Sequence, residues 1–171
     1  MGTTMKRTLS FCFFAACLAL GQVAMAQSAA VTATLAAQRV ELVDGKAVVK
    51  PAGEGKPGDT IEYSGTYRNG GTAAVNKLLA TIPVPVGTSY IAGSSGPAGA
   101  QASVDGSRFA PMPLLRAVKQ PDGSERKETV PLADYRALRW EVGALAPGGS
   151  AVVSLRVRID APPAAAPATK P

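Results

Sequence analysis

Two stretches toward the C-terminal end alternate residue by residue, and this alternation constrains the fold more than any other feature. Leu138, Trp140 and Val142 interleave with Arg139 and Glu141; then Val153, Leu155, Val157 and Ile159 interleave with Ser154, Arg156 and Arg158. Side chains that change face at every residue suit a half-buried strand and cannot gather into the single apolar stripe of a helix. Ala146-Pro147-Gly148-Gly149 supplies a turn between them. Upstream, Ile61, Tyr63, Gly65 and Tyr67 alternate with Thr60, Glu62, Ser64, Thr66 and Arg68, and Asn69-Gly70-Gly71 breaks the run.

The rest of the chain follows the same pattern, because Gly and Pro recur too often for a 3.6-residue apolar period to persist. Residues 31–43 and 47–50 are expected as strands joined through Asp44-Gly45, a pair that accepts the positive φ values of a tight hairpin. A strand over 73–82 is ended by Pro83-Val84-Pro85-Val86-Gly87, whose prolines remove backbone donors. Residues 88–92 read as another strand and 93–99 as a loop. Asp105-Gly106 and Pro121-Asp122-Gly123 mark two more hairpins, the second an exposed one between 115–119 and 125–129. About seven to nine short strands punctuated by turns predict an all-β chain: an immunoglobulin-like antiparallel β-sandwich with no disulfide, anchored by Trp140.

The ends set the boundaries of that domain. Lys6 and Arg7 precede an apolar run from Leu9 to about Leu20, and Ala24-Met25-Ala26 offers the small-x-small pattern of a signal-peptidase site. The run falls short of the roughly 20 apolar residues of a spanning helix. Residues 1–26 are therefore expected as a cleavable signal peptide, cut between Ala26 and Gln27, leaving no transmembrane segment in the mature chain. A lipoprotein reading at Cys17 competes less well, because the apolar run continues through Leu18, Ala19 and Leu20. Residues 27–160 would form the sandwich, and 161–171, an Ala/Pro-rich stretch without core-forming side chains, a disordered tail.

Cleavage would remove Cys12 and Cys17, the only two cysteines, so the mature chain would have neither disulfide nor thiolate. Two of the 18 basic residues and none of the 12 acidic ones lie in the signal peptide, leaving 16 minus 12, a net +4. The cations are scattered, without the basic stripe and interleaved aromatics of a nucleic-acid surface, so no nucleic-acid partner is expected. Arg136, Arg139, Arg156 and Arg158 would form a small basic patch if the last two strands paired; a solvated face is the plainer reading.

Catalytic chemistry has little to work with. There is no histidine, hence no Ser-His or Cys-His nucleophile and no soft-metal cluster in the mature chain. Asp44, Asp105 and Asp122 each precede a glycine, which suits turns, and none belongs to an Asp-x-Asp-x-Asp-Gly calcium loop. Asp59 shapes the Pro57-Gly58-Asp59 turn. Tyr63, Tyr67, Tyr90 and Trp140 read as core residues in preference to a sugar-stacking platform, and Gly65 as a point of close approach. No catalytic, cofactor-binding or metal-binding residue is assigned.

Pro57-Gly58-Asp59-Thr60-Ile61-Glu62-Tyr63 followed by Asn69-Gly70-Gly71-Thr72-Ala73-Ala74-Val75-Asn76 resembles the opening of the conserved repeat domain of bacterial surface proteins, domain-of-unknown-function family eleven. Trp140-Glu141-Val142-Gly143-Ala144-Leu145-Ala146-Pro147-Gly148-Gly149-Ser150 is similar to its closing pattern. The resemblance spans residues 56–159 as a single copy. It departs from the family at Ala80, where an acidic residue is usual, and in a long insertion between Ala92 and Tyr135. The family implies an immunoglobulin-like fold, an extracellular or cell-wall setting, and a scaffold or interaction role without enzyme activity. The expected function is thus an exported structural or protein-interaction module of the cell envelope, periplasmic or surface-located. Its expected partner is an envelope protein; the alternative is a binder of glycan or anionic envelope polymer.

Overall fold

The computed structural model describes residues 31–162. The two cysteines, the cleavage-site residues Ala24, Ala26 and Gln27, and residues 163–171 of the tail lie outside the described residues.

Among the described residues eleven strands follow in order: β1 (Val31–Val43), β2 (Lys46–Pro51), β3 (Thr60–Asn69), β4 (Val75–Pro83), β5 (Thr88–Tyr90), β6 (Gln101–Ser103), β7 (Ala110–Pro111), β8 (Leu115–Lys119), β9 (Glu125–Thr129), β10 (Ala137–Leu145) and β11 (Ser150–Ile159). A single 3-10 turn, Leu132–Asp134, precedes β10. Nine strands make two antiparallel sheets, one of five in the order β2-β1-β3-β11-β5 and one of four in the order β4-β10-β6-β7. The remaining two, β8 and β9, form a separate hairpin.

This is the expected antiparallel sandwich, and no cysteine lies within it to cross-link the sheets. Its core is the inward half of each alternation. Ile61, Val153, Leu155 and Val157 face Ala80, Ile82, Leu138 and Trp140 from the opposite sheet. Each large aliphatic side chain so buried contributes about 1.5–3 kcal/mol. The sheets come close at Gly65, where a Cβ would lie 3.3–3.5 Å from Tyr67 Cε2, Ile82 Cγ1 and Val153 Cγ2, so that even a methyl group would be tightly packed.

The turn chemistry matches the sequence. Asp44 and Gly45 both have positive φ between β1 and β2. Asp59 Oδ2 accepts the Lys56 N–H at 2.9 Å, and Asp122 Oδ1 accepts from Ser124 N and Oγ. Asp105 Oδ1 accepts from Ser103, Ser107 and the Arg108 N–H, closing the turn between β6 and β7. β7, the partner of β6 in this hairpin, is Ala110–Pro111.

The pairing on which a basic patch depended does not occur, because the Pro147-Gly148-Gly149 turn does not fold β10 and β11 into a hairpin. β10 pairs with β4 and β6, and β11 pairs with β3 and β5, so the two strands enter opposite sheets. Each needs its apolar face inward, and crossing between layers buries both faces against each other.

Candidate interaction surface

Because β10 and β11 lie in different layers, the four arginines do not converge. Arg136 donates to the carbonyls of Ala133 and Tyr135. Arg139 stands 4.1 Å over the Phe109 ring and donates to Gln101 Oε1. On the outer face of the other sheet, Arg156 donates from Nε to Glu62 Oε2 at 2.7 Å; of the four, only Arg158 is exposed, and it makes no ion pair among the described residues. The basic patch is therefore dispersed to opposite sides of the sandwich.

The aromatic residues are likewise committed to structure. Trp140 is 2 % exposed and donates from Nε1 to the Pro97 carbonyl. Tyr90 is buried and stacks on Tyr135 at 5.9 Å. Tyr135, which the sequence does not single out, is the largest fully buried side chain, and its hydroxyl accepts the Leu114 N–H. Among the described residues no group of three or more Asp, Glu, His or Cys could hold a metal ion, and no helix is long and apolar enough to cross a membrane.

What stands open is the side of the five-stranded sheet that carries β1 and β2. β1 and β2 pair from Gln38↔Pro51 to Val43↔Lys46, and beyond Val40, the last β1 residue paired with β3, they go on as a two-stranded ribbon. Cross-strand partners share a face, so Val40 with Val49 and Leu42 with Ala47 form one apolar side. Leu42 is 77 % exposed, and Val43, Val48 and Val49 are exposed as well. The other side of the ribbon carries ions: Glu41 bridges Lys50 at 2.6 Å and Arg39 at 2.8 Å. The Lys50 hydrogen bond, reinforced by both cations, holds the Glu41 carboxyl below its ordinary pKa.

The apolar side of the ribbon forms one wall of an open groove of about 390 Å³, with Thr60 and Arg156 at its floor and Ile91, Ala92, Gly93 and Ser94 as the opposite wall. That second wall is held in place. Ser94 Oγ accepts the Arg156 N–H at 2.9 Å, and the Ile91 N–H donates to the Arg156 carbonyl. The groove thus combines aliphatic surface with one neutralised cation and two hydroxyls, a lining suited to an apolar peptide side chain and poor in groups for recognising a polyanion. The sequence signal for it was the outward set Val40, Leu42, Val49, legible only once the ribbon is known to leave the sandwich.

The fold is an all-β antiparallel sandwich over the described residues. Compared with protein-family models, with curated proteins and with solved structures, the chain matches none of them.

Proposed function

We propose that this protein is an exported, non-enzymatic interaction module of the bacterial cell envelope, and that the β1–β2 ribbon with the groove at its base receives an envelope protein. The observation that carries the reading is the exposure of Leu42 beside Val40, Val49 and Ala47 on a projecting ribbon. A soluble domain gains nothing in stability from such a surface, and contiguous exposed apolar side chains mark contact sites. Export rests on the signal-peptide pattern of residues 1–26, and the non-enzymatic part on the lack of histidine and of any cysteine after cleavage. The resemblance to the conserved repeat domain of bacterial surface proteins points the same way.

The glycan or anionic-polymer reading has less support, since Tyr90 and Trp140 are buried and Arg156 is already paired. Two measurements test the proposal. The intact mass of protein recovered from the envelope fraction of its host should begin at Gln27; a retained N-terminus or a lipid on Cys17 would contradict export by this route. Immobilised mature chain should retain an envelope protein that a Leu42→Asp, Val49→Asp variant does not. Salt-sensitive retention on acidic polysaccharide, with no protein retained, would favour the alternative.

A further inference from the structure

Strand edges with unpaired N–H and C=O groups are templates for another strand, and soluble sandwiches blunt them. Four of the edges here carry such devices. On β4, Tyr67 Oη donates to the Thr81 carbonyl and accepts the Thr81 N–H, both at 2.9 Å, while Pro83, two residues on, has no N–H to offer. The β4–β10 pairing is further broken by register shifts around Gly143. β5 has three residues, and beyond it Gly96 closes the free side of β11 by exchanging hydrogen bonds with Ser154. β7 has two residues, one of them Pro111. β2 carries Lys46 and Lys50 and ends in Pro51.

The N-terminal half of β1 has none of these. β2 covers β1 only from Gln38 to Val43, so residues 31–37 pair with β3 on one side and with no strand among the described residues on the other. Their sequence, Val-Thr-Ala-Thr-Leu-Ala-Ala, has no charge and no proline. The inward-directed set Ala33, Leu35 and Ala37 also lacks cover from the four-stranded sheet, and Leu35 is 52 % exposed although it is in register with buried Gly65 and Val153. The open edge is a bay seven residues long, stopped at one end by Pro51 opposite Gln38.

We propose that this bay is occupied by the same segment of a second copy of the chain, giving a two-fold dimer in which the two five-stranded sheets run on as one. An antiparallel pairing about Thr34 sets Thr34 against Thr34 of the second copy, Ala33 against Leu35, Thr32 against Ala36 and Val31 against Ala37. Every pair keeps its face, as a register that joins two half-buried sheets must. The one large side chain, Leu35, stands opposite a small one, and no like charges meet. Seven residues fill a seven-residue bay, and each copy's strand ends where the other's Pro51 begins. The contact lies on a different part of β1 from the ribbon of residues 38–51, so the dimer would leave the groove free.

Sedimentation equilibrium of the mature chain, residues 27–171, over a concentration series tests this. The wild type should reach twice the chain mass. Thr34→Lys and Thr34→Glu, which change an exposed outer-face residue and should leave the far-ultraviolet spectrum and Trp140 emission unchanged, should each weaken the dimer by about tenfold or more, because the axis sets like charge on like charge. Mixing the two variants should restore it. A wild type that stays monomeric, or a dimer indifferent to both substitutions, would overturn the proposal; loss of envelope-protein retention in the Leu42 variant would be unaffected by either result.

Discussion

The side-chain amide of Asn69, at the end of β3, donates to the carbonyl oxygen of Leu145, at the end of β10, across 2.9 Å, tying one sheet of the sandwich to the other. The same Nδ2 donates to the Ala73 carbonyl, Oδ1 accepts the Gly71 N–H, and the Asn69 backbone exchanges hydrogen bonds with Gly148 and Gly149. One residue thus organises the turns after β3 and after β10.

Asn69 is fully buried, so truncating it would leave the Leu145 carbonyl, a buried acceptor, without its partner. Asn69→Ala should destabilise the domain by about 2–4 kcal/mol. Urea unfolding followed through Trp140, the single tryptophan, measures it; a loss under about 1 kcal/mol would show that the turns hold without the side chain.

Tyr90 and Tyr135 stack as a pair but carry their hydroxyls differently. Tyr135 Oη accepts the buried Leu114 N–H at 3.0 Å, whereas Tyr90 Oη is buried without a hydrogen-bond partner among the described residues. Tyr135→Phe should cost about 1–3 kcal/mol, and Tyr90→Phe should be neutral or stabilising by up to about 1 kcal/mol. Equal losses in the two variants, read from the same unfolding curves, would contradict this assignment.

Tyr67, on β3 of the opposite sheet, closes the β4 edge through its hydroxyl, so removing that one oxygen should open a strand. Tyr67→Phe leaves the Thr81 N–H and C=O unpaired by protein and should raise the rate of aggregation more than it lowers stability. Light scattering on the variant during gentle heating, normalised to its own unfolding midpoint, checks it. Unchanged aggregation would mean that Pro83 and the β4–β10 irregularity suffice.

Asp105 responds to pH in a defined direction. Hydrogen bonds from the backbone N–H of Arg108 and of Ser107, then from their side chains, hold its carboxyl far below the ordinary aspartate range. A depressed folded-state pKa gives stability that is fully present above the unfolded value of about 3.9 and is lost as pH falls through the folded one. In a carbon-13 titration the Asp105 carboxyl should stay ionised where exposed aspartates have protonated, and Asp105→Asn should flatten the acid limb of the stability curve. A midpoint in the ordinary range would contradict the hydrogen-bond network.

Strand positions and hairpins were legible in the sequence because alternation and Asp-Gly turns are local properties; β1–β2, β6–β7 and β8–β9 all follow from neighbouring residues. Partners distant in sequence were not. The Pro147-Gly148-Gly149 turn has the composition of a hairpin, and only packing sends β10 and β11 into opposite layers and separates the arginines. Tyr135 sits among Asp134 and Arg136 just after a 3-10 turn, with no alternation to mark it, yet it is fully buried. Asn69 reads as a strand breaker from its neighbours Gly70 and Gly71, and its reach to Leu145 depends on a contact 76 residues away. The open edge of residues 31–37 is a property of which strand lies beside which, so the sequence holds no local sign of it.

The most direct test of the functional reading places a photo-crosslinking amino acid at Leu42 in the exported protein within its own host, with a control at Glu125 on the separate β8–β9 hairpin. Illumination should join the Leu42 position to one discrete envelope protein and leave the control free. No adduct from Leu42, or the same set of adducts from both positions, would contradict the assignment of the ribbon as the contact surface.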